Sequence, residues 1–207
     1  MGVSREELKE YFNQRCLKKE ITLSDIPDID LYIDQITTLF ENKLGDSKRN
    51  EEEKILTKTM VNNYSKEGIL RPVKGKKYDR EHILQMSMIC LMKQTISLLD
   101  IKKILTSDTY NKKDALLNAY EGFLSIKEDQ HKKILSSLDE FIDCFDTEDD
   151  EQFLALILYL CNYSTIIKNT VETLVDKCFK DPKPAKEEKP KKEEKPKKEK
   201  SKKSEDK

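Results

Sequence analysis

Residues 57–105 read TKTMVNNYSKEGILRPVKGKKYDREHILQMSMICLMKQTISLLDIKKIL, and the order of signals within this stretch decides the fold. Thr57 is a good N-cap for a short helix that ends at Gly68, where a proline turn follows. A lysine-rich link and two further helices come next, and their predicted caps are Asp79 and Ser97. This succession is typical of a helix-turn-helix with a short basic wing.

The first helix of this stretch has a core side and a hydrogen-bonding side. Met60, Val61 and Tyr64 recur at helical spacing, which predicts that they point inward. Asn pairs with an adenine edge and Lys reaches guanine or phosphate, so the polar side suits a DNA major groove as well as it suits solvent. The polar residues are Lys58, Thr59, Asn62, Asn63 and Lys66.

Positive charge is concentrated around this helix. Residues 54–80 contain eight Lys or Arg against two acidic residues, Glu67 and Asp79, although the whole chain has a formal charge of −1. A local basic patch within an acidic body is expected where a protein holds phosphates. The predicted phosphate-holding residues are Arg71, Lys74, Lys76 and Lys77.

The same stretch resembles the DNA-binding head of MerR-type regulators. Those proteins carry a capped helix that ends in a Tyr-x-x-Glu-Gly-Leu-Leu-x-Pro run, then a short wing, a tyrosine, a helix and a Ser-Leu-x-x-Ile helix. The matching positions are Tyr64, Glu67, Gly68, Ile69, Leu70, Pro72, Tyr78, Asp79, Ile83, Ile89, Ser97, Leu98, Ile101 and Leu105.

Residues 24–130 are also similar to a small bacterial family, the YkrK-like proteins, which are viewed as MerR-like transcriptional regulators. The resemblance implies that residues 31–44 form the first helix of the motif and residues 58–67 its recognition helix. The chain departs from the MerR pattern at Asn62 and Asn63, where that family has arginine and an aromatic residue. The wing is shorter here, and the loop at 46–53 is longer.

Outside this head the sequence predicts further helices. Ser4 and Glu7 form a capping box for a first helix, and Asp28 or Asp30 opens a second one that ends at Gly45 as a left-handed residue. Two long helices are predicted at about 112–145 and 149–179. MerR-type proteins dimerise through one long helix after the head, whereas two follow here. Residues 153–161 are apolar nearly all round, so we expect them to be buried on more than one side, by docking on the body or by self-association.

The last residues have a different composition. An EEKPKK segment occurs at 187–192 and again at 193–198, and charges of both signs with regular prolines prevent a core. The predicted organisation is therefore an N-terminal helix and link (1–27), the head (28–108), a helical dimerisation or effector region (109–180) and a disordered tail (181–207). The fold class is all-α, with a MerR-like winged helix-turn-helix head followed by a long helical hairpin.

Several function classes find little support in the residues. No phosphate-binding glycine loop or metalloprotease motif occurs, so we expect neither an enzyme nor a cofactor. The five cysteines lack a CxxC pair, which favours a reducing, cytoplasmic location with mostly buried thiols and no metal site. The longest apolar run is far too short to span a bilayer. His82 and His131 are expected on the surface or beside a helix cap.

These observations predict a sequence-specific regulator that binds double-stranded DNA as a homodimer. The five polar residues of the recognition helix would face the groove, and Tyr64 would pack that helix while its hydroxyl reaches the DNA backbone. The alternative is a helical protein-interaction module that uses the apolar surface at 153–160 and does not bind DNA. The sequence leaves any small-molecule effector unknown.

Overall fold

A computed structural model of the chain describes residues 3–16, 20–73, 75–112 and 114–182, without the side chains of residues 15, 16 and 128. Seven α-helices in this part are α1 Arg5–Cys16, α2 Ile33–Leu44, α3 Lys58–Lys66, α4 Arg80–Met92, α5 Leu98–Leu105, α6 Ala115–Asp143 and α7 Asp150–Cys178. Two short strands, β1 Leu31–Tyr32 and β2 Lys77–Tyr78, and a 3-10 turn at Gly45–Ser47 accompany them. The all-α prediction is confirmed, while the predicted tail from residue 183 onward lies outside the described residues.

Five of the predicted helix starts are confirmed by their caps. In each case a side-chain oxygen accepts a hydrogen bond from the backbone N–H three residues later, which satisfies one free donor of the first turn. The capping residues are Ser4, Thr57, Asp79, Ser97 and Asp149.

The predicted start of α2 is wrong, whereas its predicted end at Gly45 is right in position and wrong in conformation. The helix begins at Ile33 rather than at Asp28 or Asp30, because the two preceding residues pair as β1 with β2. The backbone N–H of Tyr32 instead donates to Gln35 Oε1 at 2.9 Å, which closes the helix start. Gly45 has φ −56°, an ordinary right-handed value, because the chain continues into the 3-10 turn rather than reversing.

The two strands form a minimal antiparallel ribbon. Leu31 lies opposite Tyr78, and Tyr32 lies opposite Lys77. This pairing joins the residues before α2 to the residues between α3 and α4. The basic segment is therefore attached to the start of α2 through backbone hydrogen bonds.

The core of the head is centred on α4. The helical spacing of Ile83, Met86, Ile89 and Cys90 predicts that they point inward. They do, but every other residue from 82 to 90 is buried as well. His82 is thus beside a helix cap, as predicted, but not on the surface. A one-sided pattern was expected, and the structure differs because α4 is covered by several neighbours, among them α5, α6 and β2.

α5 buries Ile101 and Leu105 in the same core. Ile104 is partly buried and also packs there. The spacing of Leu98 from Ile101 and Leu105 predicts an inward position for it as well, but it is 43% exposed. It occupies the first position of α5, directly after the Ser97 cap, and its side chain lies outside the packed face.

The two long helices attach to the head at different places. α6 packs against α1 and α4, and the hydroxyl of Tyr120 donates to the carbonyl of Ile21 at 2.8 Å. α7 packs against α5, where Val175 is buried. The helices contact each other near their connection, where the Phe141 ring lies 5.0 Å from the Tyr159 ring.

The prediction that residues 153–161 are buried on more than one side is wrong for the single chain. Leu156 is 1% exposed, whereas Leu154 and Leu158 are 56% and 62% exposed. One side of α7 faces α6 and the other side has no neighbour within the described part of the chain. Docking on the body therefore does not bury this segment.

The cysteines also differ from the prediction of mostly buried thiols. Cys90 is buried in α4, and burial raises the pKa of its thiol to about 11. Cys144, Cys161 and Cys178 are exposed, because they lie at the end of α6 or on uncovered sides of α7. Among the described residues, none of the helices combines the length and apolar character needed to cross a bilayer.

Candidate nucleic-acid interface

α3 is held from its inner side. Val61 and Tyr64 are 0% and 4% exposed, and Met60 packs against the core beside them. At the helix start, Thr57 Oγ1 accepts from the Met60 backbone N–H at 3.1 Å. At its end, Gly68 adopts φ +66°, a left-handed value that a residue with a Cβ rarely adopts.

The outer side of α3 is open to solvent. At about 100° per residue, the predicted reading residues lie within an arc of roughly 140°. All of them are exposed, so the predicted separation into a core side and a polar side agrees with the structure. These residues are Lys58, Thr59, Asn62, Asn63 and Lys66.

Tyr64 does not lie on this outer side. Its ring belongs to the core, and burial raises the pKa of its phenol above 10.0, with Cys90 as a neighbour. The predicted packing role is thus visible. The predicted reach of its hydroxyl to the DNA backbone is not, because the side chain points to the protein interior.

The basic turn presents two of its three predicted cations. Gly75 has φ +83°, which produces the tight reversal, and Lys76 and Lys77 are exposed after it. Lys74 lies outside the described residues. Lys77 Nζ lies 5.1 Å from the centre of the Tyr32 ring, which is a cation–π contact across the ribbon.

Arg71 has partners within the protein. Its guanidinium forms an ion pair with Glu81 and lies 3.7 Å from Asp79 Oδ1. Its backbone N–H donates to Gln85 Oε1 at 3.2 Å. These contacts position the chain between α3 and α4, and a phosphate would have to compete with two carboxylates for this side chain.

Arg80 is engaged in a similar way. Its guanidinium contacts Asp28 Oδ1 at 2.7 Å and the carbonyl of Leu23 at 3.2 Å. Of the eight cations in residues 54–80, these two arginines therefore join parts of the head to each other. Among the described lysines of this segment, Lys54, Lys58, Lys66, Lys76 and Lys77 are exposed.

Sequence reasoning missed Tyr32 as a candidate interface residue. Half of its surface is exposed, it directly precedes α2, and its ring lies beside Lys77. A phenol next to a lysine supplies a hydrogen-bond donor at the place where the turn presents charge. The only signal in the sequence was its position directly before α2. Its place beside Lys77 results from the pairing of β1 with β2.

The described part of the chain is thus a helical domain with a two-stranded basic ribbon, extended by two long helices. Residues 21–123 match a family described as Domain of unknown function (DUF1836). The matched region contains the ribbon, α2 to α5 and the first part of α6. No curated protein and no solved structure matches the chain.

Proposed function

We propose that this chain is a sequence-specific DNA-binding transcriptional regulator that acts in the cytoplasm. In this proposal α2 and α3 form a MerR-like helix-turn-helix of the YkrK-like kind, and the β1–β2 ribbon is its wing. The observation that carries the proposal is the outer side of α3. It is an exposed surface of amide, hydroxyl and ammonium groups on a helix whose other side is buried.

Electrostatics support the same function. Among the described lysines of residues 54–80, Lys58 and Lys66 on α3 and Lys76 and Lys77 on the turn are exposed, and the rest of the body is acidic. Lysines that approach phosphates release counterions, so affinity should fall steeply as salt is raised. We assign phosphate contacts to Lys76 and Lys77, and to Lys74 by sequence. We add Tyr32 to this set, and we give Arg71 a role inside the protein.

The first experiment separates affinity from sequence preference. A randomised duplex library is selected on the full chain at low salt, and the enriched duplex is used to measure affinity. Lys76→Glu with Lys77→Glu should abolish binding to enriched and random duplexes alike, because charge at the turn acts on every phosphate backbone. The matched control is Lys133→Glu with Lys180→Glu, which changes the net charge equally on exposed residues elsewhere.

The second arm concerns the outer side of α3. Asn62→Ala with Asn63→Ala should reduce the preference for the enriched duplex by about 1–3 kcal/mol per lost base contact and affect random duplexes little. Asn118→Ala on α6 is the control. Unchanged binding by the lysine variant, or an unchanged preference in the asparagine variant, would remove these residues from the interface.

A second candidate function has one observation in its favour. The exposed Leu154 and Leu158 on α7 form an apolar surface that a protein-interaction module would use. A chain that binds no duplex at low salt but still associates through α7 would favour this alternative. For the regulator, the same surface would serve homodimerisation, and two heads on one duplex would read two half-sites about one helical turn apart.

A further inference from the structure

One segment of α7 has no charged residues and is largely exposed to solvent. Residues 153–167 read FLALILYLCNYSTII and contain no charged side chain. Leu154, Ile157 and Leu158 are 56%, 42% and 62% exposed, although they lie in the middle of a well-formed helix. Large apolar side chains that are exposed together in this way mark an interaction surface.

The exposed side chains fall on two sides of the helix. Tyr159 and Tyr163 lie on the side that faces α6, where their rings contact Phe141 at 5.0 and 5.7 Å. Leu154, Ile157, Leu158 and Cys161 follow the spacing i, i+3, i+4, i+7 and point away from α6. We call these four residues the outer stripe.

The ends of the outer stripe carry opposite charges. Before it, Glu151 lies in the first turn of α7. After it, Lys168 lies two turns beyond Cys161 on the same side of the helix, within 3.6 Å of Glu172 on its own chain. Glu151 precedes the midpoint between Leu158 and Cys161 by as many residues as Lys168 follows it.

We propose that the outer stripe and the residues that continue its side of α7 as far as Lys168 pair with the same side of a second copy, with the two α7 helices antiparallel about a two-fold axis near Leu158 and Cys161. A two-fold interface must be complementary to itself. In this register Leu158 of one copy meets the partner's Cys161, and Glu151 meets the partner's Lys168. The symmetry repeats both contacts, and the uncharged centre contains no like charges to repel each other.

The alternative surface for self-association is α6, which directly follows the head. Among its described residues, the large apolar side chains that are exposed are Ile126 and Ile134, and they are separated by two helical turns of mostly polar surface. α7 exposes a denser apolar surface than α6. The self-association does not depend on DNA binding, so it is tested without DNA.

The experiment is sedimentation equilibrium of the full chain over a range of concentrations. Leu158→Glu should weaken the dimer on the order of 100-fold or more, because two carboxylates would be buried without partners. Leu174→Glu is the matched control, since Leu174 is 56% exposed on another side of α7. It should leave the dimer intact, and circular dichroism should show that both variants remain helical.

A charge exchange tests the antiparallel arrangement. Glu151→Lys and Lys168→Glu should each weaken the dimer several-fold, and the combined variant should restore it, because the opposite charges meet again. In a parallel pair each residue would meet its own copy, and the combined variant would not recover. That result would overturn the proposed arrangement.

A chemical readout completes the test. The rate of alkylation of Cys161 should fall as the wild-type protein concentration rises, while that of the exposed Cys144 should stay constant. A wild-type chain that is monomeric throughout, or a dimer lost in Leu174→Glu but kept in Leu158→Glu, would overturn the proposal.

Discussion

At the scale of single residues, Gly68 shows how one backbone conformation ends the helix that carries the candidate reading surface. Its φ of +66° turns the chain so that the N–H groups of Ile69 and Leu70 both donate to the carbonyl of Tyr64, at 2.9 and 3.1 Å. A Cβ at this position would meet only the end of the Lys102 side chain at 4.0 Å. The requirement for glycine is therefore conformational and not steric.

Two glycine substitutions should have opposite effects on stability. Gly68→Ala should lower the free energy of unfolding by roughly 1–2 kcal/mol, because alanine is strained in the left-handed region. Gly122→Ala, inside α6 with open space around it, should raise it by about 1 kcal/mol, because alanine favours a helix over glycine. Urea denaturation of both variants measures the two changes, and a shared sign would contradict this account.

At the scale of elements, one carboxylate organises the junction between β2 and α4. Asp79 Oδ1 accepts from the backbone N–H of His82 at 3.0 Å and lies 2.7 Å from His82 Nδ1. Burial alone would raise the pKa of Asp79, but the hydrogen bonds with His82 and the nearby charge of Arg71 hold it below its ordinary value of 3.8. The charged form is therefore favoured in the folded protein.

The stability contributed by this charge should depend on pH. A carboxyl whose pKa is lowered by folding stabilises the protein above its unfolded pKa, and the effect is lost as pH falls through the folded pKa. Asp79→Asn keeps a capping side chain but removes the charge. It should be less stable than the wild type at neutral pH, and the difference should shrink below pH 3.8. Chemical denaturation at several pH values measures this difference, with the exposed Asp108→Asn as a control. A difference that does not vary with pH would contradict the assignment.

At the scale of the whole molecule, α7 is anchored to the head at its far end. Lys103 Nζ on α5 lies 3.1 Å from Asp181, 3.7 Å from Asp176 and 3.8 Å from Asp100. Nearby, the rings of Tyr110 and Phe179 stack at 6.1 Å. A dimer formed through the outer stripe would thus fix the position of the two heads relative to each other, because each α7 is joined to its own α5.

Removal of this anchor should affect the two ends of α7 differently. Lys103→Met should speed amide hydrogen exchange in the last turns of α7, because three carboxylates lose their shared cation. Exchange in residues 153–160 and the dimer constant should be unchanged. Affinity for a duplex with two half-sites should fall more than affinity for a single half-site. Equal losses on both duplexes would show that the anchor does not couple the heads.

The parts of the fold that depend on neighbouring residues were predictable. Thr57, Asp79 and Ser97 cap helices through bonds to the third residue along the chain, so the stretch itself contains both partners. The outer side of α3 was predictable for the same reason, since helical spacing separates Asn62 from Val61. The predicted left-handed conformation of Gly45 was wrong, because the sequence does not show whether the chain reverses after the helix or continues into another turn.

The candidate site was predictable only in part. The exposure of Lys58, Asn62 and Lys76 follows from local pattern, but the pairing of Arg71 with Glu81 and the contact between Lys77 and Tyr32 depend on distant segments. Charge in a sequence does not reveal which cations the protein itself neutralises. An arginine with protein partners and an exposed lysine look alike until the chain is folded.

The sequence by itself therefore determined five helix starts with their caps and the polar side of α3, because hydrogen bonds and side-chain spacing within one turn suffice for them. Tertiary structure alone decided that His82 is buried, that β1 pairs with β2, and that the outer stripe of α7 remains uncovered. These features depend on which surfaces meet. The physical reason is that the burial of a side chain depends on the packing of two elements against each other, whereas helical spacing is set within a single element.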